Sequence, residues 1–226
     1  ERLEDQQTPC LSGIDTRGVA VRLREKGEMP AAVLPAGADA EAAAAKLKDM
    51  DRPAYEPPTF PAEDQGEEGP VVAVLDLGVR NSELAQVGQC ARARAFAWDT
   101  PVEDILDSGA RGLLLTDGPC AALPPDRTVE TVRHVLGEMP VMGYGLGHVT
   151  LGMALGCEPA FLNRGHHAAN CPVRCLANDE TAITHQRHTV VLDRDSVESS
   201  DEVTLTWEHM NDSSVEGIRS ADRQAE

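Results

Sequence analysis

The chain has 226 residues, 41% hydrophobic and 26% charged, with 38 acidic against 20 basic side chains and a formal net charge of −18. This is the composition of one large or two modest globular domains and excludes a disordered chain. Apolar runs such as 71–74 stop at Asp76, far short of the roughly 20 residues that a bilayer span needs, and residues 1–7 carry no basic-then-apolar leader. A soluble, intracellular protein is expected, with the cytoplasm and the mitochondrial matrix both open. The acid excess repels phosphate backbones and anionic lipid, so small molecules or other protein subunits are the expected partners rather than nucleic acid or membrane. Six cysteines, at 10, 90, 120, 157, 171 and 175, are too widely spread for a disulfide scaffold, and free thiols are expected.

In chain order, residues 14–27 predict a helix, with Val19 and Leu23 one turn apart and Gly27 at the left-handed C-cap position. Asp39 as N-cap and the strong formers Glu41 to Lys48 predict a second helix, stopped by Asp51-Arg52-Pro53. Residues 1–52 thus form a first unit. The prolines and the acidic run of 53–69 predict a linker.

After Pro70, short apolar runs alternate with amphipathic segments, the pattern of buried parallel strands covered by helices, so 70–226 predicts an α/β unit. Strands are expected at 71–77, 93–98, 112–116 and 140–144, and helices at 102–107, 127–136 and 149–155. Segments 181–186, 203–207 and 215–219 predict further strands without intervening helices, an antiparallel extension of the sheet.

The densest signal is Pro140-Val-Met-Gly-Tyr-Gly-Leu-Gly-His148, a strand entering a glycine-rich turn and then a helix. Such a turn is the geometry of a nucleophile elbow, in which one residue stands exposed in strained φ/ψ and the following N–H groups supply half of an oxyanion hole. Gly143, Gly145 and Gly147 alternate as in a phosphate loop. The G-x-G-x-x-G spacing and its later ribose-binding acid are not satisfied, and no nucleotide or other cofactor is expected.

The segment Gly143-Tyr-Gly-Leu-Gly-His-Val149 resembles the G-I-C-L-G-H-Q elbow of class I glutamine amidotransferases, specifically the small subunit of carbamoyl-phosphate synthase. The resemblance runs in order along nearly the whole chain. Leu11-Ser-Gly-Ile-Asp-Thr-Arg17 resembles [IL]-x-x-I-D-T-R, Val74-Leu-Asp-Leu-Gly-Val-Arg-Asn81 resembles V-x-D-x-G-x-K-x-N, and Leu115-Thr-Asp-Gly-Pro119 resembles L-S-N-G-P-G. Gly165-His-His-Ala-Ala-Asn-Cys-Pro-Val173, Ile183-Thr-His-Gln-Arg-His188 and Asn211-Asp-Ser-Ser-Val-Glu-Gly217 resemble G-H-x-G-x-N-H-P-V, I-T-x-Q-N-H and N-D-x-T-x-E-G. The resemblance implies a flavodoxin-like, doubly wound parallel sheet over 70–226. It also implies that 1–52 is a remnant of the family's N-terminal domain.

The match fails at the functional positions. The family's elbow cysteine attacks the glutamine carboxamide to form a thioester; here that position is Gly145. The family's His-Pro-Glu motif, which holds the activating pair, would follow Ser220 to Glu226 and does not occur within the 226 residues. The substrate-contacting Gln after the elbow His is Val149, the second Gly of the oxyanion turn is Cys120, and the Asn and Gly of Q-N-H-G are Arg187 and Thr189. Gly118 and Leu146 alone keep the family residue at vestigial substrate positions. Triad residues acting together are worth on the order of 10⁶ in turnover, so a domain without them is expected to be no glutaminase.

Cys120 as a displaced nucleophile lacks a basic partner in sequence and reads as a space-filling thiol. Cys171, Cys175, His185 and His188 form C-x₃-C and H-x₂-H spacings that suit zinc on paper, but the resemblance places them in strands and loops that bind no metal, so no metal is expected. His148, His166, His167 and His188 match family histidines outside the triad and are expected to be hydrogen-bonded structural residues. The expected function is that of a catalytically inactive structural or regulatory subunit of a larger assembly. The alternative is the small-subunit domain of an ammonia-using carbamoyl-phosphate synthase, bracing the large subunit.

Overall fold

The computed structural model describes residues 6, 8, 10–48, 50, 55–57, 63–220 and 225. The chain divides into two compact units, Glu1–Asp51 and Arg52–Glu226.

The first unit holds α1 (Thr16–Lys26) and α2 (Ala40–Lys48). Asp15 caps α1, its Oδ1 accepting from Gly18 N at 2.8 Å, and Gly27 closes it at φ 76° with its N–H on the Leu23 carbonyl. Asp39 Oδ1 accepts from Glu41 N and Ala42 N, both at 3.0 Å, at the start of α2. The expected stop at Asp51-Arg52-Pro53 lies outside the described residues. Neither helix has a buried residue, and Val19 is 51% exposed, so capping carries an unusual share of the local stability. Asp15→Ala is accordingly expected to cost about 1 kcal/mol and to speed amide exchange in α1 about fivefold, read by hydrogen exchange on the full chain. Unchanged exchange rates would count against it.

In the second unit, residues 64–65 lie at the edge of the sheet. Gln65 and Ala93 exchange both backbone hydrogen bonds, and Asp64 Oδ1 accepts from Ala95 N, so the start of the acidic run is fastened to the outer strand. Four parallel strands follow: β1 (Val71–Asp76), β2 (Arg92–Ala97), β3 (Leu113–Leu115) and β4 (Val141–Gly143), ordered β2-β1-β3-β4. This is the doubly wound order expected of the α/β unit. Side-chain alternation explains why both faces need cover. Ala73, Leu75, Leu113 and Leu115 pack with α4 (Val102–Leu106), α5 (Asp126–Val135) and α6 (Leu146–Ala154), through Ile105, Val132 and Leu151. Val72, Val74 and Leu114 point the other way, toward α3 (Asn81–Val87) and its buried Leu84.

A second sheet is antiparallel: β5 (Pro159–Cys175), β6 (Thr181–Leu192), β7 (Thr204–His209) and β8 (Val215–Arg219), ordered β6-β5-β7-β8. Three elements depart from the sequence reading. Helix α3 and the 17-residue β5 were not predicted, and α7 (Arg194–Glu198) stands between β6 and β7 where no helix was expected. Asp193 caps α7 by accepting from Ser196 N, and that short turn buries Val197. No helix among the described residues is long and apolar enough to cross a membrane.

Candidate functional site

The carboxyl ends of β1, β3 and β4 meet where the strand order reverses, the usual place for a site in an open α/β sheet. The loop after β3 carries Thr116, Asp117 and Gly118. Thr116, fully buried, accepts the Leu77 N–H on Oγ1 at 2.9 Å and donates to the Asp117 carbonyl at 3.1 Å, tying the ends of β1 and β3 together. Gly118 lies against α6: a methyl there would fall 2.5 Å from Leu146 Cδ2 and 2.6 Å from Leu77 O. Gly118 and Leu146, the two positions that keep the residue of the resembling motifs, are thus in contact.

Gly145 sits at the N-cap of α6 with φ 57° and ψ −122°, the left-handed strained conformation of a nucleophile elbow. The expected turn is therefore present. Gly147 holds it against the sheet, donating to Thr116 O at 2.9 Å, and a Cβ on Gly147 would overlap the Leu115 carbonyl. The glycines serve close backbone approach, which accounts for their alternation without a phosphate.

A side chain at Gly145 has no room. A Cβ built there would overlap Asp117 Oδ1 and Cγ and lie 2.8 Å from Asp117 Cβ. Asp117 Oδ1 also accepts from Leu146 N at 3.0 Å. In an elbow that N–H, following the nucleophile position, is the donor aimed at the developing oxyanion. Here an internal carboxylate takes both the side-chain volume at Gly145 and the N–H of the residue that follows it. Asp117 stands where the resembling motif has Asn, a position the sequence reading passed over.

Tyr144, beside the elbow, donates from its hydroxyl to Glu83 Oε2 at 3.3 Å, and burial, with Glu83 adding to it, pushes its pKa well above the ordinary tyrosine value. Cys120 is partly exposed, and it is its carbonyl that is engaged, accepting from Thr189 N at 2.7 Å. Val149 and Thr189 are buried and Arg187 is exposed.

A second cluster gathers on the antiparallel sheet. His166 (β5) faces His188 (β6) at 3.1 Å, Nδ1 to Nε2, and its Nε2 is 2.7 Å from Asp212 Oδ2. Its Nδ1 is also 3.4 Å from Glu216 Oε1 of β8, and its ring stacks on His209 with centroids 4.2 Å apart. Hydrogen bonding to Glu216, then to Asp212, raises the His166 pKa against its burial; burial lowers that of His188. Both of these are hydrogen-bonded, as expected. His148 differs: its Nε2 is buried with no hydrogen-bond partner among the described residues, and burial takes its pKa down to about 4. His167 is exposed. The paper zinc set does not assemble. Cys171 turns its thiol to Ala168 O, Cys175 pairs with Trp207, His185 is exposed, and no metal-capable group among the described residues includes any of the three.

No family model matches the chain. Among curated relatives, the carbamoyl phosphate synthase small chain of Methanopyrus kandleri is 33% identical over all of this chain and 65% of its own length. Those of Bacillus cereus strain ATCC 14579 and Caldanaerobacter subterraneus are each 29% identical over 96% of this chain, and 60% and 59% of their own lengths. The chain thus spans 59–65% of these relatives. Among solved structures, a Thermoplasma acidophilum protein described as a component of GMP synthase superposes with a TM-score of 0.57 and 14% identity, over 70% of this chain and 82% of its own. A Thermotoga maritima glutamine amidotransferase gives 0.51 and 14%, over 70% and 74%. The chain is therefore related along its length to carbamoyl phosphate synthase small chains and has the α/β fold of the class I glutamine amidotransferases.

Proposed function

We propose that this chain is a catalytically inactive small-chain-like amidotransferase, serving as a structural or regulatory subunit of a larger protein assembly. One observation carries the reading: the Asp117 carboxylate fills the side-chain space at Gly145 and holds the Leu146 N–H. A thioester needs a sulfur at that point and a free donor for the oxyanion. Neither is offered. A carboxylate fixed beside the turn would also repel the negative charge that builds on a tetrahedral intermediate.

The test is direct. Purified full chain incubated with glutamine is expected to release ammonia at the rate of a buffer blank. Intact mass after exposure to an electrophilic glutamine analogue is expected to show no adduct at an elbow-proximal residue. A covalent adduct mapped to Cys120, with hydrolysis abolished by Cys120→Ser, would replace this reading with that of an active enzyme using a displaced nucleophile.

A second reading is supported by homology across 96–100% of the chain to proteins named as carbamoyl phosphate synthase small chains. In it, the chain braces a large synthetase subunit that takes free ammonia. Copurification separates the two: a large synthetase chain at equal stoichiometry favours bracing, and unrelated subunits favour the first reading.

A further inference from the structure

We propose that His166 Nδ1, His188 Nε2 and Glu216 Oε1 form a binding site for one divalent cation of the zinc class. Its three ligands include none of Gly145, Leu146 and Asp117, and the proposal rests on none of the reasoning about glutamine.

The donor spacing is the first ground. The three atoms are 3.1, 3.4 and 3.8 Å apart. The circumcentre of that triangle lies about 2 Å from every corner, so a cation standing about 0.7 Å out of the donor plane would be about 2.1 Å from each, the range of zinc bonds to imidazole nitrogen and carboxylate oxygen in a tetrahedral site. Two imidazoles and one carboxylate suit zinc and its neighbours in the first transition row rather than magnesium or calcium, which take oxygen ligands. Three protein ligands leave a fourth tetrahedral position for water.

The surroundings are the second ground. A ligating imidazole ordinarily gives its other N–H to a carboxylate, which fixes its tautomer and orientation. His166 Nε2 does so to Asp212 Oδ2 at 2.7 Å. Glu216 is held from its other side, Oε2 accepting from Gln186 Nε2 at 2.8 Å. Ser214 Oγ lies within hydrogen-bond distance of both Asp212 Oδ1 and Glu216 Oε1. The His166 and Glu216 side chains are each only 9% exposed, which shields those two donors from bulk water, and the His188 side chain is 24% exposed. His148, whose Nε2 is buried and unpartnered among the described residues, lies in the electrostatic field of the same Glu216 and His188.

The placement gives the cation a role. His188 is on β6, His166 on β5 and Glu216 on β8, and in the order β6-β5-β7-β8 the last strand has no ladder to the first two. A bound cation would bond strands that backbone hydrogen bonds leave separate. Binding replaces the proton on His166 Nδ1, which leaves to solvent.

The probe is Zn²⁺, then Co²⁺, titrated into the full chain stripped with a chelator and dialysed. One equivalent of Zn²⁺ bound per chain is expected, with a rise in Tm. The Co²⁺ spectrum is expected to be tetrahedral, without the near-ultraviolet thiolate charge-transfer band that any of the six cysteines would produce. Glu216→Gln should abolish the stoichiometric binding, Asp212→Asn should weaken it about 10- to 100-fold, and His185→Ala should leave it unchanged. Absence of stoichiometric binding to the unaltered chain, a thiolate band, or binding untouched by Glu216→Gln in a chain with normal circular dichroism would each overturn the site.

Discussion

Gly145→Cys is expected to lower the stability of the chain by about 3 kcal/mol and to leave it without glutaminase activity. Two costs add. A side chain at φ 57° and ψ −122° carries strain on the order of 1–3 kcal/mol, which glycine does not. The incoming Cβ also overlaps the Asp117 carboxylate, so Asp117 must swing away and give up its charge-assisted bond to Leu146 N, worth roughly 1.5–3 kcal/mol. Restoring the sulfur therefore does not restore the site, because its donor and its space are already taken. The pair is expected to be coupled: in Asp117→Ala the same cysteine should cost at least about 1 kcal/mol less, as a double-mutant cycle by urea denaturation measures. A Gly145→Cys chain as stable as the parent, or one that forms a glutamyl thioester, would show that the carboxylate does not block the elbow.

That coupling was only half legible in the sequence. That glycine stands at 145 where the resembling elbow has cysteine could be read directly, and the strand–turn–helix around it was predicted to within a few residues, because short apolar runs and the glycine pattern are local signals. Asp117 was visible as a departure from an L-S-N-G-P-G motif. Its meaning was not, since it depends on two loops 29 residues apart meeting at hydrogen-bond distance. The first-unit helices were legible for the same local reason, through Asp15, Gly27 and Asp39 as caps.

The antiparallel sheet was read less well, and its residues show why. Strand β5 contains Asn163, Gly165, two histidines, Asn170 and Pro172, and its pairing with β6 breaks register between Phe161 and His166 and again between Ala168 and Cys171. Bulges of this kind interrupt the period-two alternation on which strand prediction depends. Helices α3 and α7, of 7 and 5 residues, each bury a single side chain, Leu84 and Val197. They are fixed by the sheet they cover rather than by an apolar stripe of their own. The histidine cluster shows the same limit: C-x₃-C and H-x₂-H spacing pointed to one set of ligands, whereas the fold brings His188 to His166 and Glu216 from two other strands.

Acidification from about pH 6.5 to about pH 4 is expected to remove roughly 3 kcal/mol of stability through His148 alone. Its ring is neutral in the fold, and burial takes its pKa down to about 4, with His188 acting in the same direction and Glu216 on β8 opposing. Below the ordinary histidine value the unfolded chain takes up this proton and the folded chain does not, so each pH unit shifts the balance toward unfolding until the folded ring itself titrates. The neighbours contribute with both signs. His188, also lowered by burial, adds to the acid loss; Asp212, held low by its bonds to His166 and Ser214 despite burial, adds only at still lower pH. His166, raised by Glu216 and Asp212, works oppositely: its contribution is complete below the ordinary histidine pKa and is lost as pH rises through its own higher value. A difference measurement isolates His148. Urea midpoints of the parent and of His148→Gln, taken in chelator at about pH 7 and about pH 4.5, should converge or cross at the lower pH, because glutamine cannot charge. A gap between the two chains that is the same at both pH values would mean that the ring is protonated in the fold, with a partner there for its Nε2.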